Sequence, residues 1–97
     1  MFLCQTQTGR KNIAGYKLRV LRQSKHWSQN DLALELNNLG LQVDKNAVQR
    51  MESGQRFIAD IELFYLARLF DLKMDDFFLF QGEVPDDVKL NSFKEVD

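Results

Sequence analysis

The 97 residues carry 44% apolar and 28% charged side chains with a net charge of −1. This is a globular rather than a disordered composition, sufficient for one domain with a single modest core. One cysteine, Cys4, and one histidine, His26, exclude an internal disulfide, a cysteine-built metal site and any nucleophile–base–orienter set. No catalytic residue, metal or cofactor is therefore implied, and the expectation is a non-enzyme. No apolar run approaches the about eighteen residues of a membrane span, and MFLCQTQTGRK lacks a secretory apolar segment, so a soluble cytoplasmic protein is expected.

The near-zero charge hides an asymmetry. Residues 1–56 hold nine Lys/Arg against four Asp/Glu, a net of +5, whereas residues 57–97 hold four against ten, a net of −6. A polyanion could bind the first half while the acidic end points away.

Residues 1–12 show no periodicity and read as a flexible arm, with Arg10 and Lys11 at its end. From Asn12, a possible N-cap, the spacing of Ala14, Leu18 and Leu21 predicts a first helix to about Lys25, its other side carrying Lys17, Arg19, Arg22 and Lys25. Trp27 reads as a core plug between the first two helices, and His26 has no chemical partner nearby. Ser28 and Asp31 form a capping-box pair for a second helix, whose apolar stripe is Leu32, Ala33, Leu36 and Leu39. Asn37, Asn38 and Gly40 are its stop residues.

A third helix starts after Asp44, a second N-cap, and runs to Gly54. Ala47, Val48 and Met51 anchor one face; Lys45, Asn46, Gln49 and Arg50 occupy the other. These are side-chain types that read base edges in the DNA major groove, arginine or lysine toward guanine and asparagine or glutamine toward adenine. An ordinary solvated helix has the same composition, so this segment alone leaves both readings open. Gln55 and Arg56 form a loop, and Phe57 and Ile58 are expected to fold over the core. Asp60 caps a fourth helix burying Leu63, Leu66, Ala67 and Phe70. Met74 then staples onto a last helix over about 75–80 through Phe77. No segment alternates with period two. The paired acids Asp75/Asp76 and Asp86/Asp87 read as helix-start and solvated charges. Residues 81–97, with the only proline, read as an acidic tail, disordered or in contact with a partner. The apolar run Phe77–Phe80 calls for a cover: the tail's Val84, Val88, Leu90 and Phe93, or a second subunit.

With Arg22 near the end of the first helix, SQNDLA opening the second, NAVQRMESGQR for the third and its exit, and DIELFYLARLFDLKMDDFF beyond, residues 13–79 resemble the Cro/CI-like, xenobiotic-response-element family of helix-turn-helix DNA-binding domains. The resemblance implies an all-α, five-helix lambda-repressor-like domain over 13–80, between the arm and the tail. It implies an ion pair between Arg22 and Glu52 joining the first and third helices. It places Lys45, Asn46, Gln49 and Arg50 at base-facing positions, and Gln29, Gln55 and Arg56 at phosphate-contacting ones. The connection NNLGLQVD is longer than the compact phage-repressor turn.

The expected function is a sequence-specific DNA-binding transcriptional regulator, a repressor, acting as a homodimer on a double-stranded operator and reading it with the helix 44–53. The alternative is a protein-interaction module on the same fold, antitoxin-like or an anti-repressor partner, binding a protein through 77–97.

Overall fold

The computed structural model describes residues 4–79. Four α-helices follow in order: α1 (Ala14–Ser24), α2 (Gln29–Leu39), α3 (Lys45–Ser53) and α4 (Asp60–Leu69). A 3₁₀ helix, Met74–Phe78, closes the domain. Among the described residues there is no strand. The expected fifth helix over 75–80 is thus a shorter and tighter element. It starts where the Asp76 carboxylate accepts from the Lys73 amide at 2.9 Å, and such turns suit short connecting pieces. The expected tail, 81–97, lies outside the described residues, as does Phe80.

Each helix begins and ends for a local reason. The Ser28 hydroxyl accepts from the Asp31 amide at 3.0 Å while the Asp31 carboxylate accepts from the Ser28 amide at 2.9 Å, the reciprocal capping box expected. Asp44 accepts from the Ala47 amide at 2.8 Å. The first helix begins one residue later than Asn12 would set it, with Ile13 at the N-cap. The Asn12 carboxamide oxygen still accepts from the Gly15 amide at 2.9 Å. For α4 the N-cap is Ala59, not Asp60. Glu62 reaches back to the Ala59 amide at 2.9 Å, and Asp60 becomes the first helical residue.

All four helices close with the same reversal, in which two successive amides turn back to carbonyls of the last turn. The residue with positive φ is His26 (59°) after α1, Gly40 (110°) after α2, Gly54 (81°) after α3 and Asp71 (55°) after α4. After α1, for instance, the Trp27 amide donates to Arg22 O at 3.2 Å and the His26 amide to Gln23 O at 3.0 Å.

The core is built from Leu18, Leu32, Leu36, Val48, Met51, Leu66 and Phe77, all fully buried, with Ala14, Ala33 and Ala67 buried beside them. Helix α3 packs on both α1 and α2, α4 packs on α2, and the 3₁₀ helix sits against α1 and α4. Three expectations are corrected here. Leu39, placed on the buried stripe of α2, is largely exposed. Phe57 is exposed as well, and only its neighbour Ile58 packs on the core. On α4 the buried pair is Leu66 and Ala67, with Leu63 and Phe70 half-buried at the edge. Trp27 is half-buried, its ring 5.9 Å from that of Phe70. Phe77 belongs wholly to the core, where its burial contributes about 1.5–3 kcal/mol; Phe78 and Leu79 stay exposed.

Candidate nucleic-acid interface

Helix α3 presents two chemistries. Val48, Met51 and Glu52 point inward and are buried, while Lys45, Asn46, Gln49 and Arg50 are all exposed. Among the described residues the outward four make no side-chain hydrogen bond with the rest of the domain, so their donors and acceptors face solvent.

The orientation of this helix is set by directional bonds as well as by packing. Arg22 Nε donates to Glu52 Oε2 at 2.6 Å and Nη2 donates to Oε1 at 3.1 Å, a two-pronged pair whose side chains are 12% and 4% exposed. The third nitrogen, Nη1, donates to the Trp27 carbonyl at 2.7 Å. Gln29 Nε2 adds a further donor to Glu52 Oε1 at 3.2 Å. Glu52 therefore ties α3 to the end of α1 and to the first turn of α2 at one point. Buried charge is costly unless matched in this way, and removing one partner strands the other.

The three residues assigned to phosphate are placed differently from one another. Gln55 follows the Gly54 cap of α3 and is exposed. Gln29 is half-buried and spends one amide proton on Glu52. Arg56 turns toward α4, where its Nη2 donates to Glu62 Oε2 at 2.9 Å, and its Nη1 is buried without a hydrogen-bond partner. The structure thus gives Arg56 a clear part in holding the exit loop of α3 against α4.

Sequence reasoning missed the contribution of residues 6–12. Expected as part of a flexible arm, residues 6–10 close a turn and residues 10–12 fold back on the end of α3. The Thr6 amide donates to the Arg10 carbonyl at 2.8 Å, and the Lys11 amide donates to Gly54 O at 2.7 Å. Asn12 Nδ2 donates to Met51 O at 3.0 Å and to Arg56 O at 2.7 Å. Arg10 Nη2 donates to Glu52 O at 3.0 Å. One signal was available: Gly15 lies inside a helical pattern, where glycine is costly unless two backbones meet closely. A Cβ there would collide with the Met51 carbonyl oxygen, which marks the crossing of α1 and α3. Among the described residues no three His, Cys, Asp or Glu side chains gather as metal ligands. No helix among them is long and apolar enough to cross a membrane.

Two capped helices, α2 and α3, packed on each other with a polar outward face on the second, define a helix-turn-helix unit. The helix-turn-helix family matches residues 18–77, more than half of the chain. The chain belongs to that family, in its Cro/CI-like, xenobiotic-response-element branch of DNA-binding transcriptional regulators, which is not a family of enzymes. Comparison with curated proteins and with solved structures gives no match.

Proposed function

We propose that the protein is a sequence-specific transcriptional repressor, working in the cytoplasm as a homodimer on a two-fold symmetric DNA operator. Residues 44–53 enter the major groove, where Lys45, Asn46, Gln49 and Arg50 meet base edges. Gln55, the remaining amide proton of Gln29 and the uncapped Gln29 and Asn30 amides that open α2 face the sugar–phosphate backbone, while Arg56, paired with Glu62, holds the exit loop behind them. Phosphate contacts set register and affinity; base contacts select sequence. The observation that carries this reading is the exposure of four hydrogen-bonding side chains on a helix whose opposite edge is locked by Arg22 and Glu52. Residues 57–79, with two Lys/Arg against five Asp/Glu, would then disfavour DNA on that part of the domain.

The test is selection of binding sites from random duplex DNA, at two salt concentrations, with Arg50→Ala beside the natural protein. A palindromic motif with half-sites about 34 Å apart is expected. Affinity should fall with salt, the logarithmic slope being about −0.9 for each phosphate neutralised. Retention without sequence preference would overturn the reading. The exposed apolar side chains Ile61 and Phe64 on α4, with Phe78 and Leu79 beyond it, favour a second role in protein contact. That role is the homodimer or, as the alternative function, an antitoxin-like or anti-repressor partner bound through 77–97. Of that stretch Phe77 is buried, and residues 80–97 lie outside the described ones.

A further inference from the structure

We propose that Asn12 and Arg10 are positioning residues for DNA reading, and that the segment 6–12 is a clasp setting the angle at which α3 meets its target. This inference rests on the DNA-reading proposal above and concerns how the same site is held.

The last carbonyls of a helix have no partner within it and must find one elsewhere. In α3 those of Met51 and Glu52, with that of Gly54 just beyond, find it in the chain that precedes α1. Asn12 bridges α1, α3 and the exit loop with its carboxamide. Its Oδ1 accepts from the Gly15 amide at 2.9 Å, starting α1. Its Nδ2 donates to Met51 O at 3.0 Å, in the last turn of α3, and to Arg56 O at 2.7 Å, in the exit loop. An amide is the side chain that offers both an acceptor and two donors in one plane, so no hydroxyl or carboxylate replaces it.

Arg10 adds a charge at the negative end of the α3 dipole. Its Nη2 donates to Glu52 O at 3.0 Å and its Nε to Asn12 O at 3.1 Å. Its guanidinium carbon lies 3.9 Å from the centre of the Tyr16 ring on α1. The guanidinium also fills the space beside Gly54, where an added Cβ would meet Arg10 Cγ at 2.6 Å. Glu52 is consequently gripped twice, its carboxylate by Arg22 and its carbonyl by Arg10.

The reading side chains Gln49 and Arg50 lie within one turn of these clasped carbonyls, and Gln55 follows them. Base contacts demand a fixed approach, whereas contacts to a repeating phosphate backbone tolerate a small rotation. Loosening the clasp should therefore erode discrimination between sequences more than it erodes general attraction to DNA.

The experiment uses the full chain with two variants. Asn12→Ser keeps an oxygen to start α1 and removes both donations to α3 and its loop. Arg10→Ala keeps the Asn12 bond to the Gly15 amide that starts α1, and it decides the question should Asn12→Ser not fold. Affinities are measured for the selected duplex and for a scrambled one, below the melting transition of each variant, with amide exchange followed at Gly54 and Gln55. The expected result is an about ten-fold loss in the selected-to-scrambled affinity ratio, comparable to losing one good base contact. Faster exchange at the two amides should accompany it. An unchanged ratio, with or without faster exchange, would reduce the clasp to a structural cap and overturn the inference alone. Absence of selection by the natural protein would instead overturn the DNA-reading proposal, and this inference with it.

Discussion

Helices α3 and α4 are nearly equal in length and both bury one side in the same core, yet their outward sides are opposites. The exposed face of α3 is polar and basic, with Lys45, Asn46, Gln49 and Arg50. That of α4 carries Ile61 at 63% exposure and Phe64 at 49%. Their inward faces differ too. The buried contacts of α4 are apolar, Leu66 and Ala67, whereas α3 buries Glu52 beside Val48 and Met51. Apolar burial is nearly non-directional and leaves a helix free to settle. A two-pronged ion pair with four donors in the network fixes an angle. The helix proposed to present side chains to DNA is held by directional bonds, and the helix that covers the core is held largely by area.

The largest effect should come from breaking that distinction at Glu52. Glu52→Ala leaves Arg22 buried with only the Trp27 carbonyl to donate to, and Gln29 loses its acceptor. A loss of about 3–5 kcal/mol of stability is expected, read as a fall in the denaturant midpoint. Replacing both partners by apolar residues, Arg22→Met with Glu52→Leu, should restore much of it, because the desolvation cost disappears with the charges. A single variant that loses less than about 1 kcal/mol would mean the pair is more solvated than its burial indicates.

Next in size is the effect on binding of altering the outward face. Arg50→Ala removes no packing, so stability should stay within about 0.5 kcal/mol. Affinity for the selected site should fall by about 1–3 kcal/mol, with relaxed preference at one base pair. Equal losses on all sequences would assign Arg50 to the backbone alone.

How far α3 and α4 could be read beforehand follows the range of the interactions involved. The start and stop of α2 and α3 were legible because Ser28 with Asp31, Asp44, Gly40 and Gly54 act within a few residues of themselves. The start of α4 was misread by one residue for a related reason. Asp60 and Glu62 are both acids of the first turn, and only the reach of Glu62 to the Ala59 amide shows which closes the cap. Contacts across about forty residues were not legible: nothing local in Asn12 announces the Met51 and Arg56 carbonyls. The inward turn of Phe77 was legible from its spacing to Met74, but its complete burial beside an exposed Phe78 was not, since adjacent aromatic residues offer equal apolar area.

The ends of the two helices sharpen the comparison on a smaller scale. Helix α3 reverses through Gly54 at φ 81° and α4 through Asp71 at φ 55°. Gly54→Ala should cost about 1–2 kcal/mol, the strain of a side chain in the left-handed region, and it would also displace Arg10. Asp71→Gly should gain less than about 1 kcal/mol, since aspartate already tolerates this conformation and glycine adds entropy to the unfolded chain. Thermal unfolding of the two variants checks the opposite signs; a cost for Asp71→Gly would mean its carboxylate contributes a bond that outweighs the strain.

The smallest change in stability should accompany a large change in assembly. Phe64→Glu places a carboxylate one turn before Arg68, whose guanidinium now lies 5.7 Å from the Phe64 ring centre. The new pair at this spacing, acid first, is worth about 0.2–0.5 kcal/mol and offsets part of the lost contact between the Phe64 and Tyr65 rings, 6.0 Å apart. The monomer should therefore melt within about 0.5 kcal/mol of the natural chain. If the apolar face of α4 is the surface through which two copies meet, a buried unpaired carboxylate there is strongly disfavoured, and the variant should sediment as a monomer where the natural protein is a dimer. On DNA it should then bind single half-sites and lose the preference for their spacing, while the preference within each half-site, carried by α3, stays as it was. A variant that still dimerises would assign the twofold contact to another face and leave Ile61 and Phe64 to a different protein.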